Sequence, residues 1–347
     1  MIDFRYHLVS IVAVFLALAI GIVLGSTELQ GTTLDSLRAL NDSLKSQLNA
    51  YGAERDSYAA QAGASDTFLR TAEPKLLKAM LAGDRVVIVT EPGASSGVID
   101  GVRQAAGLAG ATVSGTVALQ PKFSDLSGTT QASLNALNAQ LATTDGTQLA
   151  VPTSAATQNQ QNAAQLIATA ILDKNAAEPA LTIPQAQFLL QAYAQAGFLT
   201  TSGVPWDPAT LAVIVTPQTA PADGAGDPVN QVLIPVAQEF AQGSAATLVA
   251  GSTAGSAPAA SAISVLRGSG VSSQVSTVDN ADTTLGQISV VWALATQVSG
   301  GKPGSYGISG ASAVSPVPLP VPSVTPSVSV TPTTKATGGT SKSVGKK

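Results

Sequence analysis

The sequence predicts an α/β protein. It has one N-terminal transmembrane helix, a coiled-coil stalk, an exported three-layer α/β domain with a mostly parallel sheet, and a disordered C-terminal tail. Three observations carry this reading. Eighteen uncharged residues run from Leu8 to Gly25, and apolar residues at heptad spacing follow from Leu34. Beyond them, four or five short apolar runs alternate with helical periodicity between Val86 and Val298.

The run LVSIVAVFLALAIGIVLG would span roughly 27 Å as a helix, just enough for a bilayer core. Arg5 and the amino terminus precede it, and Glu28 and Asp35 follow, a bias that puts the N-terminus in the cytoplasm. Residues 1–7 then form a cytoplasmic stub, residues 8–25 a single pass of the cytoplasmic membrane, and the bulk of the chain lies outside. Tyr6 and His7 fall where an interfacial side chain would sit. A cleaved signal peptide is the rival, but no A-x-A follows the apolar run, and the run exceeds a usual h-region. A buried core helix is disfavoured because the run is apolar on every face.

Residues 29–72 read as a coiled coil. A 3-4-3-4 count gives Leu34, Leu37, Asn41, Leu44, Leu48, Tyr51, Arg55, Tyr58 and Ala62. With Leu34 at position a, Asn41 and Arg55 also fall at a, while Leu37, Leu44, Tyr51 and Tyr58 fall at d. An Asn at a pairs with its copy in a parallel two-stranded coil and penalises other registers. Both copies would leave the same membrane face, so a parallel homodimer agrees with the anchor; another membrane-anchored helix is the alternative partner. The competing reading is an amphipathic helix packed on its own domain. Four heptads are near the lower limit for a coil, and Gly52 and Gly63 each cost about 1 kcal/mol relative to Ala.

Pro74 and Gly83 mark the end of the stalk, and residues 84–310 form the exported domain. Val86–Thr90 is a continuous apolar run expected of a buried parallel strand. Ser95–Leu108 has helical spacing and Ala111–Leu119 is a second strand, completing a βαβ unit. Helices are expected at Gln131–Leu141, Gln161–Asp173 and Pro184–Ala196. Then come strand Leu211–Thr216, helix Val229–Ala241, strand Thr247–Ala250, helix Ala259–Arg267, strand Gln274–Val278 and helix Thr284–Val298. Residues 311–347 are rich in Pro, Ser, Val and Thr, and end in Lys335, Lys342, Lys346 and Lys347, the composition of an extended, disordered tail. Its lysines could touch anionic wall polymer or lipid headgroups, or simply be solvated.

Composition narrows the function classes. The net charge is −4, only 11% of residues are charged, and no basic stripe exists to follow a nucleic acid. Cysteine is absent, so disulfides, thiolate nucleophiles and Cys-based metal sites are excluded. His7 is the single histidine and lies at the membrane edge, which removes a Ser-His-Asp triad and a His-based metal site from the exported domain. The turn Glu91-Pro92-Gly93-Ala94-Ser95-Ser96-Gly97 lacks dinucleotide spacing and the P-loop lysine, so its glycines read as strand-to-helix turn residues. Asp223 and Asp227 could be imagined as calcium ligands but lack companion carboxylates and read as a polar turn. Asp279 and Asp282 are expected to form a turn and cap the last helix. No catalytic residue, cofactor or metal ligand is assigned. The extended runs also lack the ten-residue alternation and aromatic girdles of a transmembrane barrel.

The start MIDFRYHLVSIVAVFLALAIGIVLGS, running into a Leu-rich coil, resembles the mycobacterial copper-transport protein B (MctB) family of actinobacteria. So does VSTVDNADTTLGQISVVWALATQVSGGKPGSYG, with its VDN, its glycine after the helix start and its GxYG ending. The resemblance covers roughly residues 1–310. It implies a role in copper efflux and tolerance at the cell envelope. Corynebacterial relatives imply instead a dimeric protein that works with a membrane partner on a peptidoglycan hydrolase during cell separation. The resemblance carries over no metal ligand. Copper(I) prefers Cys and Met and copper(II) imidazole, and this chain offers His7, Met1 and Met80. The residues therefore favour a dimeric, non-enzymatic scaffold.

Overall fold

The structure, a computed structural model, describes residues 4–146, 156–174, 180–219, 226–256, 261–309, 312–316 and 345. The chain divides into two compact units, Met1–Leu76 with Thr283–Leu285, and Leu77–Asp282 with Gly286–Lys347. The first is built on one continuous helix, α1 (Phe4–Leu77), which joins the apolar run to the heptad segment without a break. The expected stop at Pro74 is displaced: α1 continues through it to Leu77. A proline lacks an N–H and crowds the carbonyl four residues back, and in the last turn that loss ends a helix rather than splitting it. Ala79 then takes a left-handed φ of 60°, and the Met80 N–H donates to the Leu77 carbonyl at 3.0 Å.

The second unit is a mixed α/β fold. Its elements are β1 (Arg85–Thr90), α2 (Ser96–Leu108), β2 (Thr112–Leu119), α3 (Gly128–Asp145), α4 (Gln158–Ile171), α5 (Ile183–Gln195) and β3 (Leu199–Gly203). Then follow β4 (Leu211–Val215), α6 (Pro228–Gly243), β5 (Ala246–Ala250), α7 (Thr253–Ser256), α8 (Ala262–Arg267), β6 (Ser276–Val278), α9 (Thr284–Val298) and β7 (Ser305–Tyr306). The strands form one seven-stranded sheet in the order β3-β2-β1-β4-β5-β6-β7. Every pairing is parallel except β2 with β3.

The central strands are buried on both faces, which is why they read as unbroken apolar runs. Val87, Val89, Val117, Ala212, Ile214 and Val249 project into one cluster with Leu134 of α3, Ile167 of α4, Tyr193 of α5 and Phe240 of α6. Residues one step along, such as Val86, Ile88, Val213 and Leu248, are equally buried on the opposite face by strand alternation. There α2 reaches the sheet through Arg103 to Thr116 Oγ1 at 3.3 Å, and α9 through Gln297 to the Thr247 carbonyl at 3.3 Å.

The structure corrects several boundaries. The sheet has seven strands, not four or five: β3 is polar and antiparallel at one edge, and β7 is two residues long at the other. Neither has an apolar run to announce it. Gln274 belongs to the end of a 3-10 turn (Gly270–Ser273), so β6 starts at Ser276 rather than Gln274. Helix α8 begins at Ala262; the expected start at Ala259 lies outside the described residues. Within the expected tail, Ser312 and Ala313 donate backbone N–H groups to the Ser305 carbonyl at 3.0 and 3.2 Å. Residues 317–344, 346 and 347 lie outside the described residues.

Candidate functional site

Helix α1 presents the first candidate. Arg5–Gly25 is 21 residues long, apolar enough to cross a membrane, and none of it is buried within the protein. Leu8, Val12, Phe15, Leu16 and Leu18 all expose more than half of their surface. A contiguous apolar surface of that extent demands cover from lipid or another protein.

The heptad residues lie further along the same helix. Leu37, Leu44, Leu48, Tyr51 and Tyr58 are 57–69% exposed, and Asn41 and Arg55 are exposed too. Leu34 is on the helix, and its side chain lies outside the described residues. All eight positions thus share one unbroken helix at 3-4 spacing, the geometry that gives a single apolar seam. Arg55 Nη2 pairs with Asp56 at 2.7 Å, and Tyr58 Oη donates to Glu54 at 3.1 Å, so these two side chains are held along their own helix. Sequence counting missed Leu40 and Phe68, which are also exposed and apolar on α1.

In the sheet unit, polar residues gather at the carboxyl end of the strands. The strand order reverses between β1 and β4, the point at which open α/β sheets leave a crevice. Main-chain bonds close it here: the Glu91 N–H donates to the Val215 carbonyl at 3.0 Å, and the Gln218 N–H donates to the Gly93 carbonyl at 2.9 Å. Gly93 makes the turn with a φ of 83°, which only glycine adopts easily, as the turn reading of this loop required. Beside it a cleft of about 260 Å³ is lined by Thr90, Glu91, Gly93, Gln120 and Pro121. Glu91 is buried, and Oε2 has no hydrogen-bond partner. Burial, helped by the neighbouring Asp227 carboxylate, pushes its carboxyl up to about 8, so it is protonated at neutral pH. Asp227 itself caps α6, accepting the Val229 N–H at 2.9 Å, in line with a polar turn; Asp223 lies outside the described residues. Sequence reasoning passed over Glu91 because nothing local marks a carboxyl as buried.

The expectation for Asp279 and Asp282 holds for the turn, which runs through Ala281 and Asp282, and fails for the cap. Asp279 is fully buried and pairs with Arg267 at 2.9 Å, while also accepting the Ile308 and Ser309 N–H groups at 2.7 and 3.0 Å. Arg267 completes the clip by donating to Thr277 Oγ1 and to the Tyr306 and Ser309 carbonyls. A side chain at Gly307 would collide with the Asp279 carboxylate. Asp282 accepts instead from the backbone and hydroxyl of Thr253 at 2.8 and 2.9 Å. Neither aspartate caps α9, because the chain folds each toward another strand end. The VDN and GSYG segments, 23 or more residues apart, therefore meet as one structure: the last strand is latched to β6.

Among the described residues, no three His, Asp or Glu side chains converge as metal ligands. His7 lies exposed near the start of the Arg5–Gly25 span, Met80 sits in the turn after α1, and Met1 lies outside the described residues.

A single helix long enough to cross a membrane, joined to an exposed heptad face, and a mostly parallel α/β unit closed by a C-terminal latch together define an α/β protein with a candidate membrane anchor. The chain belongs to the family described as copper transport outer membrane protein, MctB, whose model matches residues 1–318. It is 34% identical over 321 residues to the copper transporter MctB of Mycobacterium tuberculosis (strain ATCC 25618 / H37Rv), covering 91% of this chain and 98% of that relative. It is 31% identical over 321 residues to the copper transporter MctB of Mycobacterium leprae (strain TN), covering 91% of this chain and 99% of that protein.

Proposed function

We propose that this protein acts in copper homeostasis at the cell envelope as a membrane-anchored, non-enzymatic scaffold that dimerises through the heptad face of α1. The observation that carries the scaffold reading is the continuity of α1. One helix bears a fully exposed apolar span and then an exposed apolar seam, so it needs lipid along one stretch and a partner helix along the next. The copper assignment rests on the family and on the names of the mycobacterial relatives.

In this reading the N-terminus is cytoplasmic, α1 crosses the cytoplasmic membrane once, and the sheet unit lies outside. Asn41 faces its copy and fixes a parallel register. The donor inventory gives the outer part neither thiolate nor imidazole, so copper passes through an assembly that the scaffold organises rather than through a resident copper site. Deleting the gene should raise copper accumulation and sensitivity, and full-length protein should restore both. A variant with Leu44→Glu and Leu48→Glu should reach the membrane, run as a monomer in light scattering, and fail to restore tolerance. Unchanged copper tolerance in the deletion strain would remove the copper role; a dimeric double variant would remove the heptad interface.

A further inference from the structure

The turn after β1 carries a carboxyl with nothing to pair with. The Glu91 N–H donates to the Val215 carbonyl at 3.0 Å, and the Ala94 N–H donates to the Glu91 carbonyl at 3.1 Å. Pro92 followed by Gly93 at a φ of 83° is the residue choice of a type II turn, so Glu91 is held at its first corner. This turn and the end of β2 wall the cleft of about 260 Å³, and Glu91 lines it although only 4% of the residue is exposed. Oε2 has no hydrogen-bond partner, and no ion pair among the described residues includes Glu91. An unanswered carboxyl in such a place costs free energy whether neutral or ionised.

What the cleft lacks is donors. Gln120 turns its amide nitrogen to the Ala118 carbonyl at 3.2 Å and to Thr200 Oγ1 at 3.3 Å, which leaves its oxygen, an acceptor. The Thr90 hydroxyl both gives and accepts, and Pro92, Ala94, Leu119 and Pro121 make the remaining lining apolar. Nor does the protein bring up a cation. Strand alternation puts Glu91 on the face of Val87 and Val89, and the charges on the elements packed there are already engaged. Lys122 donates to the Ala196 carbonyl at 2.8 Å and lies over the Phe198 ring, while Arg267 is clipped to Asp279. Asp125, Asp227 and Glu239 are acids, and α4 and α5 carry no charge.

We propose that this cleft binds an alkyl chain ending in a primary ammonium, of the lysine side-chain type, with Glu91 as its counter-ion. An ammonium brings three donors and one positive charge, enough for Glu91, the Gln120 oxygen and the Thr90 hydroxyl. Its methylene stem suits the proline and leucine walls. A guanidinium fork would need both carboxylate oxygens, and Oε2 is buried. At neutral pH burial keeps Glu91 protonated, so an arriving ammonium drives that proton into solvent. Binding should tighten about tenfold per pH unit as pH rises toward about 8, then level off.

The test is calorimetric titration of Nα-acetyl-lysine amide, and in parallel of the free diamine cadaverine, into the full-length protein in detergent micelles. Wild type should bind at least one of them with a millimolar or tighter Kd, about tenfold tighter at pH 7.5 than at pH 6.5. The tighter of the two tells whether a peptide-borne lysine or a free diamine is the better fit. The Nε-acetylated form of the lysine compound keeps the chain, loses the charge and should not bind. Glu91→Gln should weaken binding at least tenfold and flatten its pH dependence. Ala94→Leu narrows the cleft and leaves the carboxyl in place; it should also weaken binding, and it decides should Glu91→Gln misfold. Glu239→Gln, on α6 and bonded to Gln161, should bind as wild type. Absence of binding by either amine, equal binding of the acetylated compound, equal affinity at the two pH values, or wild-type affinity in both cleft variants overturns the proposal.

Discussion

Helix α1 and the sheet unit are similarly rich in apolar residues and use them in opposite ways. In the sheet unit Val86 to Val89, Leu211 to Val215 and Leu248 to Ala250 are all buried within the chain. In α1 the large apolar side chains among the described residues, such as Leu8, Phe15, Leu37, Leu44 and Tyr58, point outward. The sheet unit satisfies its own hydrophobic surface, whereas α1 leaves its surface for something else to cover. Stability of the first is intramolecular; in the proposed reading, burial of the second comes from lipid and from another helix. Changes in one should therefore leave the observables of the other untouched.

The largest expected effect tests that separation. Deleting residues 5–25 should move the protein wholly from the carbonate-washed membrane pellet to the soluble fraction, with the melting of the sheet unit unchanged. Retention in the pellet would mean that another surface holds it there.

Within the sheet unit, Asp279→Ala strands Arg267 in a buried site, its side chain only 10% exposed. Breaking a buried pair from one side costs about 3–5 kcal/mol, and denaturant unfolding should show that loss without any change in membrane attachment. A loss below about 1 kcal/mol, the level of an exposed pair, would show that the latch is not a stabilising element.

Glu91 gives a pH-dependent test. Its folded carboxyl titrates at about 8 against an ordinary 4.5, so between those values the folded state holds a proton that the unfolded state has released. Stability should fall as pH rises from about 4.5 through 8 and then level off. Glu91→Gln should remove most of this slope and raise stability near pH 8 by a few kcal/mol, on the order of the linkage value. Parallel wild-type and variant profiles would show that Glu91 is ionised in the fold. The smallest effect belongs to Asp227→Ala, which removes the α6 cap and should cost about 1 kcal/mol.

Much of the fold was legible because period and length are local properties. The unbroken Val86–Thr90 run could be identified as a buried parallel strand, and the spacing of Val98, Val102, Ala105 and Ala106 as a helix, since burial imposes those patterns directly. Edge strands escape that logic. Thr200 to Gly203 are exposed, so no apolar signature is required of them, and β7 is two residues held where the Thr277 and Asp279 N–H groups donate to the Gly304 and Tyr306 carbonyls. Asp279 was misread for the same reason. A local Asp-Asn pair looks like a turn, and its true partners, Arg267 and the Ile308 and Ser309 amides, are brought in from 12 to 30 positions away.

By itself the sequence determined the apolar membrane-length segment, the heptad row, the α/β alternation and the poverty of copper donors, because each follows from composition or from spacing along a single element. Only the tertiary structure decided that α1 is continuous through Pro74, that β3 runs antiparallel at the sheet edge, that Arg267 and Asp279 lock the last strand, and that Glu91 is buried beside a second acid. Those features depend on which distant segments meet, and the energy of a buried charge is set by its neighbours in space rather than by its neighbours in the chain.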